Sequence, residues 1–433
     1  MLCKSHLKNY TIYTNSFKAK FKMPPKTRFS KTELGIIILT GLLPFSFALN
    51  PTSTIDLSII RILIPTIFLV WLTEGFLNKK VYIDTRLRAW FLIFLLALAS
   101  FSCIWAPSTA KALRKILFLV SIIPVYWVFY TFFKKTSNFT LFLKILFGAA
   151  LISAILGIGQ FFSQFIFGID AVINFQAKLT PFFLGNNFSE TVLKYNSWLV
   201  NVNGATLFRA IGLFPDPHLF GLFLNIVLAT SIFLYFKKPR LFYLSGIITI
   251  LLASLLTFSR AGYLSLLLAL IFTWFKFIGK KNIWNILLVL AFASFILIPN
   301  PINQRFYSIF NFQDGSVEER LELWKTGIET TKENPWGGVG IGNLSEVVEP
   351  FSDQRIPIYA HNLFLDFSSE TGILGGLVVF LILFSPIISG LSHPGDKNFL
   401  IATIFIIITT HSMFETPFYS VSLLPLILGF LTI

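Results

Sequence analysis

Long uncharged runs, broken by short basic turns, repeat along most of this chain. Apolar stretches of 18 or more residues are the signature of membrane-crossing helices. Runs of this kind, or close to it, lie near Gly35–Leu49, Leu57–Leu77, Leu87–Trp105, Ile116–Phe133, Phe139–Phe167, Leu213–Phe236, Leu241–Thr257, Gly262–Phe277, Ile283–Ile298, Gly372–Gly390, Phe399–Ser412 and Tyr419–Ile433. The pattern predicts an all-α, polytopic membrane protein with about twelve transmembrane helices. Arg61 falls inside the second run, where an isolated charge is costly unless it is paired or near the interface.

The basic turns set an orientation. With the N-terminus inside, the cytoplasmic connections carry Lys79, Lys80, Arg86 and Arg88, then Lys134 and Lys135, then Lys237, Lys238 and Arg240, then Lys276, Lys280 and Lys281, then Lys397. Short loops rich in Lys and Arg belong on the cytoplasmic side. The chain then divides into a basic cytoplasmic segment (1–32), a transmembrane bundle of about nine spans (33–298) with an outer loop at 168–209, a large extracytoplasmic loop (299–371) and C-terminal spans (372–433). Both termini lie in the cytoplasm in this arrangement. Met1 and Met23 are both candidate starts, and the segment before Met23 is basic without the apolar centre of a cleavable signal.

Composition agrees with the pattern. Of 433 residues, 55% are hydrophobic and only 13% charged, too apolar for a soluble protein of this length. The formal charge of +15 is accounted for by the inner loops, so nucleic acid is not an expected partner. Cys3 and Cys103 fall on opposite sides of the membrane and are not expected to pair. No HExxH, CxxC or nucleophile-elbow pattern occurs, and neither a metal nor a cofactor is expected.

The second outer loop is the richer one. In "SVEERLELWKTGIETTKENPW", Ser316 and Glu319 have capping-box spacing, and Leu321, Trp324 and Ile328 recur at helical spacing. An amphipathic helix of about four turns is predicted there, lying on the outer membrane surface and stopped by Pro335 and the glycines of "GGVGIG". The glycine run lacks the Lys-Ser/Thr pair of a nucleotide loop; a hinge or close backbone packing explains it better.

Four arginines fall outside, where the positive-inside rule expects few: Arg209, Arg260 in a tight turn between two spans, Arg305 and Arg320. The guanidinium fork binds phosphate oxygens in pairs, so several forks above one bundle would hold a diphosphate. Arg305 also reads as a lipid-headgroup contact, and Arg320 as a partner of Glu318 or Glu322. Of the five histidines, His218, His361 and His411 fall towards the outer side. His361 opens "HNLFLDFSSE" at what reads as a helix N-terminus, which disfavours the imidazolium and so suits a general base. Glu370 and Glu415 stand at the outer membrane edge as candidates for pairing with an arginine or a substrate hydroxyl; both also read as interfacial residues.

Taken in order, "RAIGLF" (Arg209), "TFSRAGYLSLLLAL" (Arg260), "ERLELWKTGIETTKENPWGGVGIGN" (Arg320, Trp324) and "AHNLFLDFSSETGILGG" (His361, Asn362, Glu370, Gly372) resemble the O-antigen ligase and polymerase superfamily. These are bacterial membrane glycosyltransferases acting on undecaprenyl-diphosphate-linked glycans, and the resemblance runs from Arg209 to Thr416. It implies a metal-independent glycosyltransferase of the C type in the inner membrane, with an extracytoplasmic active site. His361 matches the base, Arg209, Arg260 and Arg320 match arginines on the donor diphosphate, Arg305 matches less closely, and Asn362 and Glu370 take supporting places. The implied donor is a polyprenyl-diphosphate-linked glycan among membrane lipids. The acceptor is a glycan, a lipid or a protein, which leaves ligase, polymerase and protein glycosyltransferase activities open. A transporter or flippase of lipid-linked glycans is the rival reading. It expects polar residues at the bilayer midplane rather than at one rim.

Overall fold

A computed structural model describes residues 29–52, 55–194, 197–202, 204–277, 300–308, 315–347 and 359–433. The basic segment before residue 29, the predicted span Ile283–Ile298 and the stretch 348–358 lie outside the described residues.

The fold is helical. In chain order the helices are α1 (Lys31–Leu42), α2 (Ile59–Leu77), α3 (Leu87–Ser102), α4 (Thr109–Ile122), α5 (Val125–Phe132), α6 (Thr136–Phe167), α7 (Ile169–Leu184), α8 (Asn186–Lys194), α9 (Pro217–Lys237), α10 (Leu241–Leu255) and α11 (Arg260–Phe277). They continue with α12 (Pro301–Tyr307), α13 (Gly315–Glu333), α14 (Leu363–Thr371), α15 (Ile373–Ser392), α16 (Asp396–Ser412) and α17 (Leu423–Leu431). Two antiparallel hairpins that apolar periodicity did not signal join them: β1 (Ala48–Thr52) with β2 (Ile55–Ser58), and β3 (Leu199–Val202) with β4 (Ala205–Phe208).

The expectation of about twelve spans is too high. Among the described residues five helical stretches are long and apolar enough to cross a membrane: Ile59–Leu77, Thr109–Phe132, Thr136–Phe167, Pro217–Lys237 and Ile373–Ser392. The other runs break up for local reasons. The run at Gly35–Leu49 becomes a 12-residue helix followed by strand β1. α3 and α10 stop at 16 and 15 residues. At 1.5 Å per residue these reach about 22–24 Å, short of a hydrocarbon core about 30 Å thick. The run at Tyr419–Ile433 contains only the nine-residue α17, and every one of its residues is buried in protein. Its apolarity serves the interior of the bundle, a use that run length alone does not distinguish from facing lipid.

α15 and α16 pack together, α16 also packs on α9 and α11, and α9 packs on α6 and α10. Phenylalanine fills much of the core: the Phe129 ring meets Phe142 edge-on at 5.6 Å, and Phe142 meets Phe430 at 5.4 Å. The all-α, multi-pass architecture thus holds, with fewer spans.

The helix predicted in the second outer loop is α13. It has 19 residues and ends at Glu333, just before Pro335. Its buried face is rotated from the expected one. Leu321 and Ile328 are 45% and 43% exposed, whereas Leu323, Gly327 and Thr330 turn inward. Gly327 lets α13 come close to Ala360 and Leu365, so the helix seats on the start of α14. Arg320 stands three residues before Leu323 and seven before Gly327, on this inward face.

The glycine run after α13 is a packing seam. The amides of Val339 and Gly340 donate to the carbonyls of Ser369 (2.8 Å) and Glu370 (3.0 Å), and the Ile373 amide donates to Pro335 (2.9 Å). Gly338 (φ 64°) and Gly372 (φ 80°) occupy the left-handed region, and a Cβ on either would collide with the opposite backbone. Close backbone packing, one of the two readings of "GGVGIG", is what this segment does.

Candidate functional site

The site is assembled at the ends of α9, α11, α13 and α16 and at the start of α14. His361 precedes α14 with a left-handed backbone, φ 51°. A non-glycine residue held there costs about 1–3 kcal/mol and persists only where its surroundings enforce it. Both flanks do so. The Asn362 side chain caps α14, its Oδ1 accepting from the amides of Phe364 (3.1 Å) and Leu365 (3.2 Å). On the other side the Ala360 amide donates to Asp366 Oδ1 at 2.6 Å.

His361 points at Glu415, which follows α16. Its Nδ1 lies 3.2 Å from Glu415 Oε2. Arg320 Nη2 donates to the other carboxylate oxygen, Oε1, at 2.9 Å. His218 Nδ1 is 4.0 Å from the same Oε1 and 3.0 Å from Ser259 Oγ. His218 is held in turn by the start of α9, where Asp216 Oδ1 accepts from the amides of His218 and Leu219 at 2.8 Å each. Ser259 is the neighbour of Arg260. From His361 the group thus runs past Glu415 and His218 to Ser259, the residue before Arg260.

The turn between α10 and α11 gathers the remaining arginines. Arg209 Nε donates to the Thr257 carbonyl at 2.6 Å and its Nη1 to Ser197 at 3.0 Å. Arg305 Nε reaches the Phe258 carbonyl at 3.4 Å, and Arg260 Nη1 reaches Ser308 at 3.3 Å. Arg209 is 2% exposed, and its Nη2 is buried with no hydrogen-bond partner among the described residues. A guanidinium presents five donors, and a buried one of this kind can take an anion's oxygens.

The electrostatics follow from this crowding. Burial opposes charge on Glu415, but the imidazoles of His361 and His218 and the Arg320 guanidinium hold its carboxyl well below the usual carboxylate range. Burial likewise opposes charge on His361, and the Glu415 carboxylate outweighs it, so the imidazole is more basic than an ordinary histidine. This reverses the expectation drawn from the helix N-terminus alone: a carboxylate in contact outweighs the terminal dipole. Burial, and then Arg305, pull Arg209 down to about 9. Burial, and then Glu415, push Asp216 up to about 6.

Two sequence candidates do other things. Glu370 is not part of the Glu415 group; both its oxygens accept from Lys115 Nζ at 3.1 Å, and Tyr419 Oη donates to it at 3.4 Å. Asn362 positions the backbone rather than facing the arginines. Ser259, Lys115 and Asp366 were not singled out as functional by sequence. Asp366 was signalled only by lying five residues after His361 in a run otherwise apolar.

Residues 245–380 match the family model described as O-antigen ligase.

The match supports membership of that superfamily. The matched stretch holds Arg260, Arg305, Arg320 and His361, while Arg209 and His218 precede it and Glu415 follows it. A search of curated proteins returns no match. An O-antigen ligase domain together with a buried His, Arg and Glu cluster is consistent with an active site of the ligase or polymerase type.

Proposed function

We propose that this protein transfers a glycan from a polyprenyl-diphosphate carrier to an acceptor hydroxyl at the extracytoplasmic face of the inner membrane, with both termini in the cytoplasm. The observation that carries the reading is the meeting of Arg320 and His361 on one carboxylate, with His218 beside it bonded to Ser259, the residue before Arg260. His361 takes the proton of the acceptor hydroxyl as its oxygen attacks the anomeric carbon. The bond from that carbon to the diphosphate oxygen breaks, and negative charge grows on the departing polyprenyl diphosphate. Arg209, Arg260, Arg305 and Arg320 stabilise that charge, a role which preorganised cations fill without reorganisation. One base and one direct displacement give inversion at the sugar carbon. Asn362 fixes the backbone beside the base, and Glu370 braces α14 from behind. By the superfamily resemblance the acceptor is the lipid A core, a growing repeat-unit chain or a protein serine.

The test is a reconstituted transfer assay in liposomes with lipid-diphosphate glycan, an acceptor and EDTA. Transfer is expected to proceed in EDTA, and His361→Ala is expected to lose at least about 100-fold, the lower range for a general base. Arg260→Ala should raise the donor requirement and lower turnover. Undiminished transfer by both variants would refute the assigned roles. Movement of donor across the bilayer without any acceptor, abolished by the same substitutions, would favour a flippase instead.

A further inference from the structure

Glu415 is one acidic group shared by several basic ones, and its geometry dictates a tautomer. An ionised carboxylate only accepts hydrogen bonds, so the imidazole nitrogen 3.2 Å from it, Nδ1, must carry the hydrogen. The other ring nitrogen, Nε2, is then the free base. The same carboxylate takes Arg320 on its second oxygen. We infer that Glu415 is a positioning residue of this site, holding His361 with Nε2 presented to the acceptor hydroxyl and fixing Arg320 at a set distance from that base. This rests on the transfer reading above and adds a residue to it. His218 stands 4.0 Å from the same carboxylate and is occupied by Ser259, so it borders the pair rather than competing for it.

Several features suit Glu415 to the task. It is 7% exposed, so water does not screen its interactions. It follows α16 by a few residues, and α16 packs against α9 and α11, the helices that carry His218 and Arg260. Two separate elements thus reach one carboxylate, α13 through Arg320 and the α14 entry through His361, with His218 of α9 at its edge. Among the described residues the charged or titratable groups acting on His361 are Glu415, Arg320 and, from α14, Asp366.

The experiment compares Glu415→Gln and Glu415→Asp with the unaltered protein in the full chain reconstituted in liposomes. The first readout is the pH profile of transfer. Glutamine keeps an acceptor for Nδ1–H but removes the charge that favours imidazolium. Transfer by Glu415→Gln should fall about tenfold or more, and its acid limb should move to lower pH, because the imidazole loses the carboxylate that favours its charged form. Glu415→Asp should restore the position of the limb. A residue acting only on the fold would lower the rate by one factor at every pH.

The second readout needs no turnover. The rate of His361 acylation by diethyl pyrocarbonate, followed by peptide mass spectrometry, gives the titration midpoint of that ring directly. It should drop in Glu415→Gln by the same amount. A labelling midpoint and acid limb both unmoved in Glu415→Gln would overturn the inference. If His361→Ala leaves transfer intact, the reading of function fails instead, and the labelling midpoint still decides whether Glu415 governs His361.

Discussion

Lys115 and Glu370 make the clearest energetic prediction. Lys115 comes from α4 and Glu370 from the end of α14, and their side chains are 11% and 1% exposed. Both carboxylate oxygens lie 3.1 Å from Nζ, which also sits 3.6 Å from the centre of the Tyr419 ring. Lys115→Met keeps the stem and removes the charge. Among the described residues, Glu370 then keeps only the Tyr419 hydroxyl, at 3.4 Å, as a side-chain donor. Removing one member of a buried pair costs about 3–5 kcal/mol, because the partner charge is left uncompensated. The cation–π contact with Tyr419 adds about 0.5–2 kcal/mol to the loss. The double variant Lys115→Met/Glu370→Gln leaves no buried charge, so it should recover most of the stability. Equilibrium unfolding of the purified protein in mixed micelles measures all four corners of the cycle. The expected coupling between the two sites is at least about 1.5 kcal/mol, within the range for residues in direct contact. If Lys115→Met unfolds within about 0.5 kcal/mol of the unaltered protein, or the two substitutions add, the ion pair does not hold α4 to α14 and the reasoning is wrong.

Four further outcomes are expected. Burial, and then Glu370, raise Asp366 to about 7, so the folded state holds a proton there that the unfolded chain releases near pH 4. Stability from this group is therefore lost as pH rises from about 4 to about 7, and Asp366→Asn should gain on the unaltered protein over that window and then level off, read by thermal unfolding at stepped pH. Gly372→Ala places a methyl 2.5 Å from the Trp336 carbonyl oxygen at φ 80°, and strain plus overpacking should cost about 2–5 kcal/mol. Gly159→Ala, with open space around its Cβ inside α6, should be neutral or slightly stabilising in the same assay. Asn362→Ala should lose the α14 cap, about 0.5–2 kcal/mol, along with much of the transfer activity, while Asn362→Asp should keep both.

The helical, membrane-spanning class was legible because apolar runs and basic turns report solvent directly. The number of spans was not. α17 is as apolar as a span and only nine residues long, and its burial among other helices is decided by contacts distant in sequence. α13 was legible as a helix with its stop at Pro335, but its inward face was not, because Gly327 contributes through smallness rather than hydrophobicity. The candidate arginines and His361 could be named from residue type and topology. The carboxylate that Arg320 and His361 share could be offered only as an edge residue: Glu415 is 54 positions from His361 and 95 from Arg320. The Lys115–Glu370 pair spans 255 positions, and no local pattern announces it.

The seam between the glycine run and α14 bears on how such a protein can diversify. Asn343 is tied to the Ser108 amide by its Oδ1 at 2.7 Å, and Ala360 is tied to Asp366 at 2.6 Å. Asn343 and Ala360 are thus each held by a residue outside the interval between them, Ser108 on one side and Asp366 on the other. Residues that touch neither the seam nor these two contacts can change without disturbing it.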